Sequence, residues 1–330
     1  MRLIGSLSPG ETIGVLFVAL FGGLAVLTLI VSLLGARAQR RLTPAHRRRQ
    51  DATQRDLVAL WTSAIVFWLG WVAGPVGTTL LFLALSFLTL RQLITLIGTQ
   101  RSDHRSLVMV FYGLLPVQYL LVAFGQETLL TVFIPVYGAL ALPVLSALAG
   151  DPSNYLARNA KIQWGVMTTV YGLSHVPALM NLETPSAPQL GPGLVFFMVV
   201  VLAVAQWVQT QAERRLMLPP LSRRISRYFT LRGWLLGALA GALTGASLAW
   251  ITPFGVLAAA VLALGVAAAG LLGSFVLQAI ARDTGPRRWN THRTVTGAVG
   301  LLDRLAPLCF AAPVFFHSLS WYFQHVPLQP

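Results

Sequence analysis

The chain has 330 residues, of which 55% are hydrophobic and only 10% charged, with a mean hydropathy of +0.69. So few charges cannot cover a water-facing surface, which excludes a soluble globular domain and makes this an integral membrane protein. The net charge is +14, but the 24 Lys and Arg residues are spread over short loops between apolar runs, which argues against a nucleic-acid-binding face.

The apolar runs are about 20 residues long, enough for a helix to cross a hydrocarbon core of about 30 Å. No ten-residue alternating pattern appears, so an all-α polytopic bundle is expected rather than a barrel. In chain order, ten spans are expected at 13–35, 57–73, 75–98, 106–124, 127–148, 162–180, 193–210, 232–251, 254–281 and 299–320. The first span is long for a signal peptide and runs into a basic segment, a stop-transfer pattern, so it reads as a retained helix. Residues 1–56 then form an N-terminal helix and basic segment, and 57–330 the main membrane domain.

The loops alternate in charge. Arginines crowd 36–56, and Lys or Arg recurs near 99–105, 149–161, 211–231 and 282–298. The intervening loops near Gly74, Gly125, 181–192 and Thr252 contain neither residue. By the positive-inside rule the basic loops are cytoplasmic, and an even span count leaves both termini outside the cell membrane. The arginines of 36–56 also suit anionic headgroups, at about 1 kcal/mol of attraction each.

Span eight carries Gly233, Gly237, Gly241 and Gly245 at steps of four, a face for close helix packing, within one chain or between two copies of a homodimer. The single cysteine, Cys309, sits in an apolar run and reads as a small buried hydrophobe. Polar residues inside spans are few. Arg91 is placed to snorkel towards the cytoplasmic surface. His175 reads as a helix-to-helix hydrogen-bond partner. Gln206, Gln209 and Gln278 lie near cytoplasmic span ends. Asp303-Arg304 stands out, because a carboxylate at the centre of a span costs roughly 2.5–3.5 kcal/mol. Arg282 and Asp283, at the end of the preceding span, are placed to serve as its partners.

The stretch from Gly273 to Phe316 resembles the signature of phosphatidate cytidylyltransferases, also called CDP-diacylglycerol synthases. That signature runs S-x-x-K-R-x-x-x-x-K-D and then P-G-H-G-G-x-x-D-R-x-D. GAVGLLDRLA stands in its second half, followed by an apolar run with APVFF. The resemblance extends to GPVGTTLLFLALSFLTLRQLITLI, to GDPSNYLAR and to the polar loop after span seven, covering most of residues 57–320. It implies a reaction of phosphatidate with CTP that gives CDP-diacylglycerol and pyrophosphate. Such chemistry calls for Mg²⁺ held by carboxylates, with basic groups on the leaving phosphates.

Residue by residue, the match is uneven. Arg282 matches the motif arginine, but Ala281 replaces the lysine before it. Arg287-Arg288 falls on the Lys-Asp pair. Residues 296–300 replace Pro-Gly-His-Gly-Gly. Asp303 and Arg304 match, and Ala306 replaces the last aspartate. Upstream, 226–233 resembles the S-P-x-K-T-x-E-G loop with Phe229 at the lysine and Arg232 at the glutamate, span seven lacks the Asn-Asp pair, and Gln92 stands where an acid is expected. The resemblance therefore implies phosphate or anion binding by Arg282, Arg287, Arg288 and Arg304, and for an active enzyme a catalytic, Mg²⁺-binding Asp303 helped by Asp283. With most motif carboxylates gone, the expected function is a non-catalytic relative in phospholipid metabolism, which binds a phosphatidate-like lipid and possibly CTP or assists a partner enzyme. A rebuilt but active cytidylyltransferase and a lipid transporter or flippase on the same scaffold are the alternatives.

Overall fold

A chain surrounded by hydrocarbon must satisfy its backbone polar groups internally. The computed structural model describes residues 9–38, 44–182, 190–216, 219–226, 228–283 and 300–325, and no strand occurs among them. The protein is an all-α helical bundle. The helices are α1 (Pro9–Ala38), α2 (44–73), α3 (75–97), α4 (Arg101–Ala123), α5 (Glu127–Ala147), α6 (155–180), α7 (Leu190–Leu216), α8 (Leu231–Ser247), α9 (Val256–Asp283) and α10 (Leu301–His325).

The α2–α3 break has a local cause. Gly74 adopts φ 69°, a conformation open to glycine, and Pro75 follows with its fixed φ. The Thr78 hydroxyl donates to the Gly70 carbonyl at 2.6 Å, although eight residues of straight helix would separate them by about 12 Å. The chain therefore doubles back at Gly74, where the sequence places a loop. Helices α4, α5 and α6 each contain one π-helical turn, at Val110–Leu114, Phe133–Gly138 and Met167–Tyr171. Pro116 follows the first within two residues and Pro135 lies inside the second, so the wider turn relieves the clash a proline makes with the preceding turn.

Seven stretches among the described residues are long and apolar enough to cross a membrane. Of the ten expected spans, 57–73 and 75–98 are covered by a single stretch, Phe67–Ile97, and two others fall short of that measure for different reasons. Helix α8 has only 17 residues. Helix α6 carries Thr168, Thr169, Ser174 and His175, all buried. Every residue from Thr168 to Met180 is buried, so α6 is the centre of the bundle. A helix shielded by its neighbours tolerates polar residues that a lipid-facing helix does not. His175 departs from its expected role: Nδ1 donates to the Tyr171 carbonyl of its own helix at 2.7 Å rather than to another helix.

The glycine stripe packs within this chain. A Cβ built on Gly237 would lie 2.8 Å from the Ala205 carbonyl oxygen of α7 and 2.9 Å from Leu271 of α9. One on Gly241 would lie 2.5 Å from Ala267 Cβ, and one on Gly245 would overlap Ala263 Cβ. Ala259, Ala263 and Ala267 repeat at steps of four on α9 and are fully buried. Two small-residue stripes thus run antiparallel, and close backbone approach supplies the dispersion contact that drives helix association in lipid. Helix α1 is attached differently, through Phe17 stacked on Trp71 at 5.4 Å and edge-on to Phe196 of α7 at 5.6 Å.

A polar knot closes one end. Arg158 is 6% exposed and lies 2.8 Å from both Asp103, 2% exposed, and Asp151. It also donates to the Ser153 carbonyl at 2.7 Å and to Gln100 Oε1 at 3.2 Å, while Ser102 donates to Asp151 at 2.7 Å. The loops around 98–103 and 149–154 are thereby joined at the same end of the bundle, as the charge alternation requires. Cys309 is buried, and Arg91 is exposed.

Three outcomes follow from this packing. Gly241→Val forces α8 from α9 and lowers stability by about 1–3 kcal/mol, whereas Gly265→Ala, where a Cβ meets nothing within 4 Å, does not lower it and adds up to about 1 kcal/mol of helix propensity; denaturant unfolding in micelles reads both. Arg158→Met strands a buried carboxylate and costs about 3–5 kcal/mol by the same measurement. The Asp151 carboxyl is held well below its usual range, chiefly by the Ser153 hydroxyl, then the Ser102 hydroxyl, the Ser153 N–H and Arg158. A depressed carboxyl stabilises the fold fully above its unfolded pKa and loses that contribution as pH falls. The Tm difference between wild type and Asp151→Asn is therefore constant from about pH 7 to 5 and shrinks below about pH 4.

Candidate functional site

The C-terminal end of α3, the start of α6, the end of α9 and the start of α10 converge. Leu93 and Ile97 of α3, Leu277 of α9, and Leu302 and Ala306 of α10 form one buried apolar cluster, with Ile280 against it. Beside this cluster lies a cavity of about 310 Å³ between α3, α6 and α9. Its walls are Leu93, Ile97, Val276, Ala279 and Ile280, and its charged lining residues are Lys161 of α6 and Asp283 of α9. Trp164, one turn on from Lys161, also lines it and is 51% exposed. An apolar trough with a cation at its rim suits an amphiphile whose anionic end sits at the membrane surface.

The start of α10 is tied to α3. The Leu302 N–H, one of the donors that a helix start leaves without an intrahelical acceptor, donates to Gln92 Oε1 at 3.2 Å. Asp303 follows in the first turn, where the helix dipole favours an acid, and both Asp303 and Arg304 are exposed. The position at which the resemblance expects an acid on α3 is thus beside the matched aspartate, and its amide serves as a cap.

The end of α9 is tied to the segment before α8. Arg282 Nε donates to the Ile225 carbonyl at 3.2 Å. Ser226 Oγ accepts from the Phe229 N–H at 3.1 Å, and Phe229 stacks on Phe275 of α9 with centroids 4.4 Å apart. Thr230 caps α8 by accepting from the Gly233 N–H at 3.0 Å. The Gly233 position is crowded by Thr230 Oγ1 at 2.7 Å and Glu213 Cγ at 3.0 Å from a built Cβ. Ser226, Thr230 and Gly233, the positions of this loop that match the motif, therefore all serve its backbone. Phe229 and Arg232, at the motif's lysine and glutamate, do other work: Phe229 packs, and Arg232 is exposed.

Among the sequence-expected site residues, Asp283 lines the cavity, Arg282 holds the loop, and Asp303 and Arg304 open α10. Arg287 and Arg288 lie outside the described residues. Among those described, no group of three or more His, Cys, Asp or Glu side chains is placed to hold a metal ion. Mg²⁺ sites commonly use one or two carboxylates with substrate phosphates, so Asp303 and Asp283 would be the residues to hold the ion implied by the resemblance. Two residues escaped the sequence reading. Lys161, the chain's one lysine, lies in a topology-determining loop by charge pattern alone, and only the cavity gives it a role. Glu213 accepts from Gln209 Nε2 at 2.8 Å beside the α8 cap, near the end of an otherwise apolar span. An acid four residues after a glutamine in a span was its only signal.

The profile of the cytidylyltransferase family matches residues 53–322. A relative from Escherichia coli (strain K12), uncharacterized protein YnbB, is 32% identical over 269 residues, which cover 80% of this chain and 86% of the relative. With matched motif positions holding the loop before α8 and lying in the first turn of α10, and a family profile over residues 53–322, this chain belongs to the cytidylyltransferase family, of the phosphatidate cytidylyltransferase type.

Proposed function

We propose that this protein binds a phosphatidate-like anionic lipid at the cavity between α3, α6 and α9 and acts in phospholipid metabolism without transferring a cytidylyl group. The observation that carries the binding half is the apolar trough whose charged lining is Lys161 with Asp283. An acyl chain lies along Leu93, Ile97, Val276 and Ile280, and the phosphate meets the Lys161 ammonium at the rim. Arg282 and Arg304 add positive potential, and CTP or another phosphate is the further ligand. Trp164 lines the cavity beside Lys161 and is half-exposed, as suits an amphipathic ring at the level of the headgroups. The basic loops face the cytoplasm of a cell membrane in this reading, and a phospholipid-synthesis enzyme or a second copy of the chain is the partner.

The non-catalytic half is supported by the division of the motif. The retained positions build loops and caps, while the acid positions carry Gln92, Arg232, Arg288 and Ala306. Bringing two polyanionic substrates together without paired carboxylates for divalent metal leaves their repulsion unscreened.

The purified chain in nanodiscs, given phosphatidate, labelled CTP and Mg²⁺, releases no pyrophosphate yet retains phosphatidate. Lys161→Ala weakens that retention by about tenfold, the loss of one charge-assisted hydrogen bond. Pyrophosphate release that Asp303→Asn abolishes establishes an active enzyme instead. Flux of labelled lipid between vesicle leaflets establishes a flippase.

A further inference from the structure

A second set of functional groups lies at the opposite end of the bundle. His317 is sixteen residues into α10 from Leu301, about 24 Å from the site described above. There Tyr171 and His175 of α6 meet Phe316 and His317 of α10. The two helices approach closely, with Gly172 against the Cys309 backbone.

The protonation of His175 is fixed by its partner. Its Nδ1 is 2.7 Å from the Tyr171 carbonyl oxygen, which only accepts, so Nδ1 carries the hydrogen. Nε2 then presents a bare lone pair. His175 is 0% exposed, and its Nε2 is buried with no hydrogen-bond partner. An orphaned buried acceptor of this kind calls for an explanation. His317 is exposed, and its Nε2 is hydrogen-bonded to the Tyr171 hydroxyl at 2.9 Å, which leaves Nδ1 as its other ring nitrogen. One residue therefore orients both rings, Tyr171 through its carbonyl for His175 and through its hydroxyl for His317. Metal-binding histidines are held in this way, with the far nitrogen bonded to a backbone carbonyl or another polar group.

The spacing agrees. Two imidazoles that share a tetrahedral ion at metal–nitrogen distances of about 2.0–2.1 Å have ring centroids about 5 Å apart. The His175 and His317 centroids are 5.4 Å apart, with the rings inclined at 50°. We propose that His175 Nε2 and His317 Nδ1 form a two-histidine site for a divalent transition-metal ion such as Zn²⁺, with Tyr171 as the positioning residue for both ligands. The remaining coordination positions fall to water or a small exogenous ligand, since no third His, Cys, Asp or Glu joins the pair among the described residues. The site is independent of the lipid cavity and of the family's nucleotide chemistry.

The test uses the untagged full chain in detergent, incubated with Zn²⁺ or Co²⁺ and dialysed. The wild type retains about one ion per chain, and Co²⁺ gives the visible absorption of a low-coordinate nitrogen site. Zn²⁺ raises the Tm of the wild type by mass action. His175→Gln and His317→Gln each lose the bound ion, the absorption and the Tm increase. His317 is exposed, so its variant folds even where the buried His175 variant does not. No ion on the wild type, or an ion retained by the folded His317→Gln protein, overturns the proposal.

Discussion

Hydrocarbon supplies neither hydrogen bonds to a backbone nor a hydrophobic drive between helices, and the bundle is arranged around that double absence. What replaces the missing drive is close backbone contact. Gly237, Gly241 and Gly245 on α8 are set against Ala263, Ala267 and Leu271 on α9. Helix α9 then packs against α10, where Gly270 and Gly273 admit Leu202 of α7 and Phe310 of α10. The position of Asp283 and of the start of α10 depends on this chain of contacts. A single methylene in the stripe is felt at the cavity because the interface has no slack.

The same absence explains how polar groups are handled. Helix α6 carries a row of buried hydroxyls, and each turns to a backbone carbonyl one turn back or to a neighbour. Thr169 donates to the Gly165 carbonyl at 2.7 Å, and Ser174 donates to that of Tyr171 at 2.9 Å while accepting from Gln118. Ser86 and Tyr119 bond each other next to the Thr169 carbonyl. The π turns of α4 and α5 accommodate prolines that a regular helix would resist. Around this row of hydroxyls, the Nε2 of His175 and the Oε1 of Gln118 are the buried atoms left without a hydrogen-bond partner.

At the other end the charges are gathered rather than excluded. Arg158 collects Asp103 and Asp151 into one knot, and Arg282 and Gln92 each reach a backbone group on another segment. Family motifs here divide by physical role. Ser226, Thr230 and Gly233 match the motif and build the loop before α8, while Gln92, which departs from it, caps α10.

Composition and periodicity by themselves determined the membrane class, the helical architecture and the break at Gly74, because burial in lipid constrains every residue of a span in the same way. The resemblance carried by residues 273–316 and by the loop at 226–233 also determined the family. Only the tertiary structure decided that the glycine stripe closes within the chain, that Gln92 caps α10, that Lys161 rims an apolar cavity, and that Tyr171 joins two histidines 142 positions apart in sequence, 175 and 317. Each of these depends on which helices are neighbours. Lipid-facing and protein-facing surfaces are equally apolar, so hydropathy marks a span and leaves its neighbours undetermined.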